Sequence, residues 1–295
     1  MFASDHTHSR CVRHFDFLRS FRLERLAPDC GVTRLALAPW PRICGLVCGG
    51  VTVRTCAFST PLRMPNIWVC GPTLRASYEF SFEPGTVLFV ANCQPSLLHD
   101  WFGSAIGYAN TIVGLHKDAD RFDDVLLQTE ADKKDANWAE RVKAIALRFV
   151  VACVARAHEP SPIGSLARLR ADEVCGQITR ALASDLHLSE RHARRRFEQE
   201  IGLSPEIFDQ ACRIRRAISL SKRQPKLPLA QLALDCGYSD QSHMTREFGK
   251  LAGFTPGMLR NRKARHFEPE FFNPCTKRIP MAQPTGLAHR RSPAG

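Results

Sequence analysis

The sequence repeats one of its own segments. Residues Ser189–Pro205, SERHARRRFEQEIGLSP, return loosely rewritten as Ser239–Pro256, SDQSHMTREFGKLAGFTP. In each copy a serine opens a helical run and arginines lead to a phenylalanine (Phe197, Phe248). A glycine and a proline then close it (Gly202 and Pro205, Gly253 and Pro256), with the same Phe-to-Pro spacing in both. A fixed internal offset marks one supersecondary unit used twice.

Apolar periodicity predicts what each unit is. In the first, Val174, Ile178, Ala181, Leu182 and Leu186 line one face of a helix; His187 and Leu188 make a turn, and a second helix starts at Ser189, whose hydroxyl suits an N-cap. On that helix Ala193, Phe197 and Glu200 or Ile201 fall on one side, so that Phe197 and Ile201 face the core, leaving Arg191 and Arg195 outward with His192, Arg194 and Gln199 beside them. In the second unit Pro228 stands at an expected first helical position, Leu229, Leu232 and Ala233 face inward, and Gly237 suits a left-handed helix end. The helix from Asp240 turns Met244, Phe248 and Leu251 inward and leaves Gln241, Ser242, His243, Thr245 and Arg246 toward solvent. Between the units Pro205–Leu220 reads as a connecting helix with Arg213, Arg215 and Arg216 on its wet side.

Helix, tight turn and helix, with donors on the exposed half of the second helix, is the arrangement that places that helix in the DNA major groove. Arginine pairs bidentately with guanine and glutamine with adenine; serine and threonine are less selective. Charge agrees. The chain carries +12 at neutral pH, and Ser189–Lys263 holds fifteen Lys and Arg against eight acids, a surplus of seven. Such a balance points to an anionic partner, and since no run of eighteen apolar residues occurs, nothing in the sequence is expected to span a bilayer. The opening MFASDHTHSRCVRHFDFLRS lacks the apolar core of a secretory signal, so a cytoplasmic location is expected.

The first half has a different grain. Short apolar or alternating runs (Arg34–Ala38, Ile43–Val47, Val51–Phe58, Ile67–Val69, Ser77–Phe82, Val87–Ala91, Ile106–Val113) are punctuated by Pro and Gly, which reads as a β sandwich or small barrel. Pro95–Phe102 is expected to interrupt it as a short helix, and His14–Leu26 is a short helix or the lead into a first strand. One or two amphipathic helices follow over Asp120–His158. The fold class expected is α+β. Residues 1–20 form a loose arm, 21–158 a β-rich effector or dimerisation domain ending in helices, 159–172 a linker, 173–265 the helical domain, and 266–295 a Pro-rich disordered tail.

The spacings over Ile178–Arg260 resemble the DNA-binding domain of the AraC/XylS-type transcription regulators. The residues that carry the resemblance are Ala183, Leu186, Ser189, Arg191, Arg195, Phe197 and Gly202-Leu203-Ser204-Pro205. They continue with Ala233, Gly237-Tyr238, Ser242, Arg246, Phe248, Gly253, Thr255-Pro256 and Arg260. The sequence departs from that pattern at Ala193 (usually Leu), Met244 (usually Phe) and Leu259 (usually aromatic), changes that soften a core without removing an outward donor. Pro28-Asp29-Cys30-Gly31, Gly71-Pro72-Thr73 and the Val87–Gly103 run resemble, more loosely, the uncharacterised β-rich sensor domain that precedes it in some members.

The resemblance implies a sequence-specific regulator that catalyses nothing. Base contacts are assigned to Arg191, Arg194, Arg195, Gln241, Ser242, Thr245 and Arg246, phosphate contacts to His192, Arg196, Arg213, Arg216, His243 and Lys250, and the interior of the units to Ala193, Phe197, Ile201, Met244, Phe248 and Leu251. The partner implied is double-stranded DNA, with RNA polymerase, a small-molecule effector and a second copy of the chain as further candidates, and no membrane. No cofactor or metal is implied.

The twelve cysteines contain no C-x-x-C pair, whereas zinc sites draw paired ligands from short turns. The competing reading is an enzyme fused to the DNA-binding domain, as in alkyl-transfer repair regulators whose N-terminal cysteines hold zinc and accept a methyl group. Those need two close cysteine pairs; Cys44 and Cys48 supply one, and Cys56 and Cys70 are too far apart for another. His6, His8 and His14 read as a surface arm rather than a metal site. The tryptophans read as core, with Trp68 and Trp101 as candidates for a pocket wall, and His99 beside Asp100 has no nucleophile to serve.

Overall fold

The computed structural model describes residues 18–26, 32–35, 37–55, 60–74, 78–127, 137–155, 161–172, 178–260 and 271–272. Their strands are β1 (Leu18–Arg25), β2 (Val32–Leu35), β3 (Arg42–Cys48), β4 (Val51–Thr55), β5 (Leu62–Arg63), β6 (Ile67–Cys70), β7 (Tyr78–Phe82), β8 (Val87–Cys93), β9 (Ile112–Gly114) and β10 (Phe271–Phe272). They pair antiparallel into two five-stranded sheets, ordered β1-β8-β3-β6-β9 and β10-β2-β7-β4-β5.

Side-chain patterning decides how the sheets stack. The β8 sequence VLFVANC is buried throughout, because its two faces serve two cores. Val87, Phe89, Ala91 and Cys93 point to a helix-covered core, whereas Leu88 and Val90 point toward the other sheet, with Cys44, Trp68, Cys70, Tyr78 and Phe80. The β7 sequence YEFSF alternates, with Tyr78 and Phe80 buried and Ser81 exposed, so the second sheet turns one face to water. The result is a sandwich, of the two shapes expected.

Helices α1 (Leu97–Phe102), α2 (His116–Leu127) and α3 (Trp138–Val154) follow. They cover the outer face of the first sheet: Phe122 meets Phe89 edge-on at 5.4 Å between centroids and Phe149 at 4.8 Å. Val142, Ala146 and Val150 of α3 are fully buried there. The remaining helices are α4 (Pro162–Asp172), α5 (Ile178–Asp185), α6 (Glu190–Ile201), α7 (Pro205–Arg223), α8 (Leu229–Asp235), α9 (Gln241–Leu251) and a final 3-10 turn, Pro256–Arg260.

Several expected boundaries move. β1 begins at Leu18, inside the stretch expected as an arm, so the described part of His14–Leu26 is a strand. The stretch expected as a linker contains α4, whose Ile163 and Ala167 are buried with α5 and α6 residues. Phe271–Phe272, in the tail expected to be disordered, add a strand beside β2. Val174, and the arm with His6, His8 and His14, lie outside the described residues, as do Pro28–Gly31, Cys56 and the rest of the tail.

The two halves share their interiors. Leu37 is buried in the core of the second helical unit, and Ala38 and Trp40 in that of the first. Trp40 meets two guanidinium groups, Arg19 of β1 at 4.2 Å and Arg215 of α7 at 5.2 Å from its ring centre, and its indole N–H donates to Asn92. Of the two tryptophans considered for a pocket wall, Trp68 is fully buried between the sheets and Trp101 is half-buried beside Phe102 in the helix-covered core.

Candidate nucleic-acid interface

The two copies fold alike up to the turn. At the end of α5 His187 takes a left-handed φ of 51° and the Leu188 N–H returns to the Ala183 carbonyl at 2.9 Å. At the end of α8 Gly237 takes φ 79° and the Tyr238 N–H returns to Ala233 at 3.0 Å. Both are the six-residue closure of a Schellman end, in which the left-handed residue satisfies carbonyls the helix leaves open. Pro228 caps α8 instead of opening it, one residue before the position expected.

Beyond the turn the copies separate by one residue. Ala183, His187 and Leu188 match Ala233, Gly237 and Tyr238 at an offset of about fifty, while Phe197 and Phe248 are one residue further apart. The extra residue shifts the cap. Ser189 caps α6, its Oγ accepting from the His192 N–H, but Ser239 does not cap α9; Asp240 does, accepting from the His243 N–H at 2.8 Å. Those bonds to its charged form hold the Asp240 carboxyl below the usual range, with a further contribution from the Ser239 hydroxyl.

The inward faces of α6 and α9 are closed. Ala193, Phe197, Ile201, Met244, Phe248 and Leu251 are all buried, with Phe197 edge-on to Phe208 and Phe248 edge-on to Phe254. The outward faces carry the donors. Arg191, Arg195, Gln241, Ser242 and Arg246 are exposed, as are His192 and Lys250. The connecting helix α7 has nineteen residues, about 28 Å at 1.5 Å per residue, close to the ~34 Å between successive major grooves on one face of DNA.

Other candidates are engaged within the protein. Arg194 pairs with Glu198 at 3.2 Å and with Glu206 of α7 at 3.0 Å, while keeping half its surface exposed. Thr245 donates its hydroxyl to the Gln241 carbonyl one turn back. Arg196 binds the buried Glu200 at 3.0 Å. Arg216 and His243 are half-buried, the latter beside Ser239 and edge-on to Tyr238. Arg213 and Arg215 depart from the wet side on which the wheel places them. Arg213 turns into the second unit, binding Glu247 at 2.9 Å over the Tyr238 ring, and Arg215 reaches the Leu37 carbonyl and Trp40.

Glu200, one of the alternatives for the inward side of α6, is buried as that alternative has it, whereas sequence reasoning overlooks Glu247 and Ala105. Glu247 leaves a signal: it is an acid on an inward face, three residues from Met244, and a buried carboxylate requires a donor elsewhere. Ala105 leaves none, because its partner is distant in sequence. Its N–H donates to the Gln199 carbonyl at 2.8 Å, and a Cβ on Gly202 would lie 2.5 Å from the Ala105 oxygen. Nearby Ser161 donates to Glu200, and Asp100 accepts from Ser96 and Gln94. Burial, opposed by His99 and reinforced by the Glu200 charge, pushes the Asp100 carboxyl up to about 6.

Residues 182–262 match the model of a helix-turn-helix domain family. The C-terminal region is a helix-turn-helix domain. The HTH-type transcriptional activator RhaR of Mannheimia succiniciproducens is 23% identical over 146 residues, 46% of this chain and 52% of that protein; the chain thus spans about half the length of the curated relative it matches. Among solved structures, ToxT from Vibrio cholerae O395 is 12% identical with a TM-score of 0.47, covering 82% of this chain and 98% of that one. The C-terminal domain of AraT, a response regulator from Geobacillus stearothermophilus, is 23% identical with a TM-score of 0.33, covering 38% and 92%.

Among the described residues no helix is long and apolar enough to cross a membrane, and no group of three or more His, Cys, Asp or Glu is placed to hold a metal ion.

Proposed function

We propose that this chain is a cytoplasmic, nucleoid-associated transcription regulator that reads two successive major grooves, one with α6 and one with α9. The observation that carries the reading is the pairing of two closed helix-turn-helix units on one connecting helix, each with exposed donors on its second helix. Phosphate neutralisation supplies most of the affinity and the base-facing side chains supply the preference. In the first groove these are Arg191 and Arg195, with Arg194 released from Glu198 and Glu206; in the second they are Gln241, Ser242, Thr245 and Arg246. His192, Arg196, Arg216, His243 and Lys250 lie along the phosphates. By this reading no bond is made or broken.

The domain organisation fits the same reading. The β sandwich and its helices, roughly 21–158, form an effector or dimerisation domain, and 173–265 the DNA-binding domain. Modulation of one by the other is supported by the Ala105–Gln199 backbone bond, which joins the sandwich side directly to α6. A small-molecule effector, a second copy of the chain and RNA polymerase are the partners such a regulator answers to.

Selection of bound DNA from a random pool tests this. The expected outcome is an asymmetric site spanning two major grooves, about one helical turn centre to centre. Failure to enrich any sequence at moderate salt would overturn it.

A further inference from the structure

One acid lies on the inward face of α9. Glu247 is 6% exposed, on the side of the helix where Met244, Phe248 and Leu251 are buried. A carboxylate in such a place is tolerated only if its oxygens are matched. Two groups from two other elements match it, and a histidine stands near. Arg213 of α7 donates to Oε2 at 2.9 Å, the Tyr238 hydroxyl in the turn donates to Oε1 at 2.9 Å, and His243 Nε2 of α9 itself lies 3.9 Å from Oε2. The Arg213 guanidinium also stacks 5.4 Å from the Tyr238 ring centre.

The first unit has no acid at the matching position. The residue matching Glu247 there is Arg196, which pairs along its own helix with Glu200. Burial pushes the Tyr238 phenol up, and the neighbouring Glu247 adds to the rise, so the ring keeps its proton; the Arg213 guanidinium, opposed by burial, is held charged by its bond to Glu247. The Tyr238 hydroxyl and the Arg213 guanidinium therefore both remain donors to Glu247.

We propose that Glu247 is a positioning residue for the second recognition helix: through Arg213 and Tyr238 it fixes the angle of α9 on α7 and the turn, and so the approach of Gln241, Ser242 and Arg246 to the bases. Arg213, a phosphate candidate by sequence, serves this brace and touches no phosphate. The inference rests on the reading of α9 as a DNA-reading helix.

The test uses the full chain and the DNA site that the wild-type protein enriches, intact and with either half scrambled, with affinity measured against salt concentration. Glu247→Gln is expected to weaken binding to the intact site by roughly ten- to a hundredfold, the range for a lost hydrogen bond to a charged group. On DNA with the second half scrambled its effect falls below about twofold. Arg213→Ala behaves alike and leaves the slope of log affinity against log salt unchanged, and Arg213→Lys restores part of the loss. Where Glu247→Gln fails to fold, Tyr238→Phe, which removes one bond and leaves the ion pair, carries the comparison, with a few-fold loss confined to the second half.

Equal weakening at both halves would reduce Glu247 to a general contributor to folding and overturn the proposal. So would a slope flattened by about one in Arg213→Ala, the mark of a lost phosphate contact. A wild-type protein that enriches no DNA sinks the DNA reading itself, and the proposal with it. That outcome appears before any variant is made and is thus distinct from the other two.

Discussion

The two recognition helices are built from one repeat and held by different means. The first, α6, is tied outward: its last turn receives the Ala105 N–H, its Glu200 receives Ser161, and Gly202 presses on Ala105. The second, α9, is tied inward, through Glu247 to its own turn and the connecting helix. The two copies therefore share an interior and a turn but differ in the anchorage of the second helix: α6 bonds to Ala105 and Ser161, whereas the buried acid of α9 is matched within the helical region, whose core also takes in Leu37.

The strongest perturbation asks whether the interiors are equal. Phe197 and Phe248 hold equivalent positions and are fully buried, so truncation of either to alanine should cost about 3–5 kcal/mol. Denaturant titration of both variants measures it, and a marked inequality would assign the domain's stability mainly to one unit.

The joint at Gly202 comes next. Its φ of 80°, and the Ala105 oxygen 2.5 Å from where a Cβ would stand, leave no room for Gly202→Val, expected to cost about 1–3 kcal/mol. Affinity for the first half of the site should fall while the second half is read as before; equal loss at both would remove the distinction between the two anchorages.

For the donors themselves, Arg195→Ala and Arg246→Ala should each cost on the order of 1–3 kcal/mol of binding and relax preference at one or two base pairs of their own half. Unchanged affinity and preference in either variant would show that its helix does not read DNA.

A pH dependence follows from Asp100. Its carboxyl binds a proton more tightly in the folded protein, near 6 against an ordinary 3.8, so stability from this group is full below about pH 4 and is lost as pH rises to about 6. Asp100→Asn should abolish that slope and raise stability at neutral pH by about 1–2 kcal/mol, allowing for the partial exposure of the group. Thermal melts across pH 4 to 7 decide it.

The smallest effect is also a stabilising one. Gly249 lies within α9 with nothing within 4 Å of where a Cβ would stand, so Gly249→Ala should stabilise the second unit by about 0.5–1 kcal/mol. A destabilised variant would mean that this face of α9 is less open than its surroundings indicate.

Local chemistry is legible in the sequence and long-range contact is not. The VLFVANC run and the YEFSF alternation announce strands, and Phe197, Phe248 and their neighbours announce the inward faces, because side-chain period follows backbone geometry. The cap on α9 is misleading because the two serines align in sequence while the turn before Asp240 holds one more residue. The wheel places Arg213 and Arg215 in water because charge is an unreliable guide once a buried acid or an aromatic ring offers a partner. Nothing near Leu37, Trp40 or Ala105 signals that each meets a helix more than ninety residues away. The helix over Pro162–Asp172 hides for a related reason, since the prolines and glycine that suggest a linker stand at its start, where proline is tolerated.

Trp40 turns this junction into something that can be watched. Its indole meets two guanidinium groups, one from the first strand and one from the connecting helix. Withdrawal of the helical domain would carry off Arg215 and leave Arg19 and Asn92 in place. The ring would then lose one of its two cationic neighbours and gain solvent. With the other three tryptophans replaced, its emission would report separation of the two halves without an attached dye.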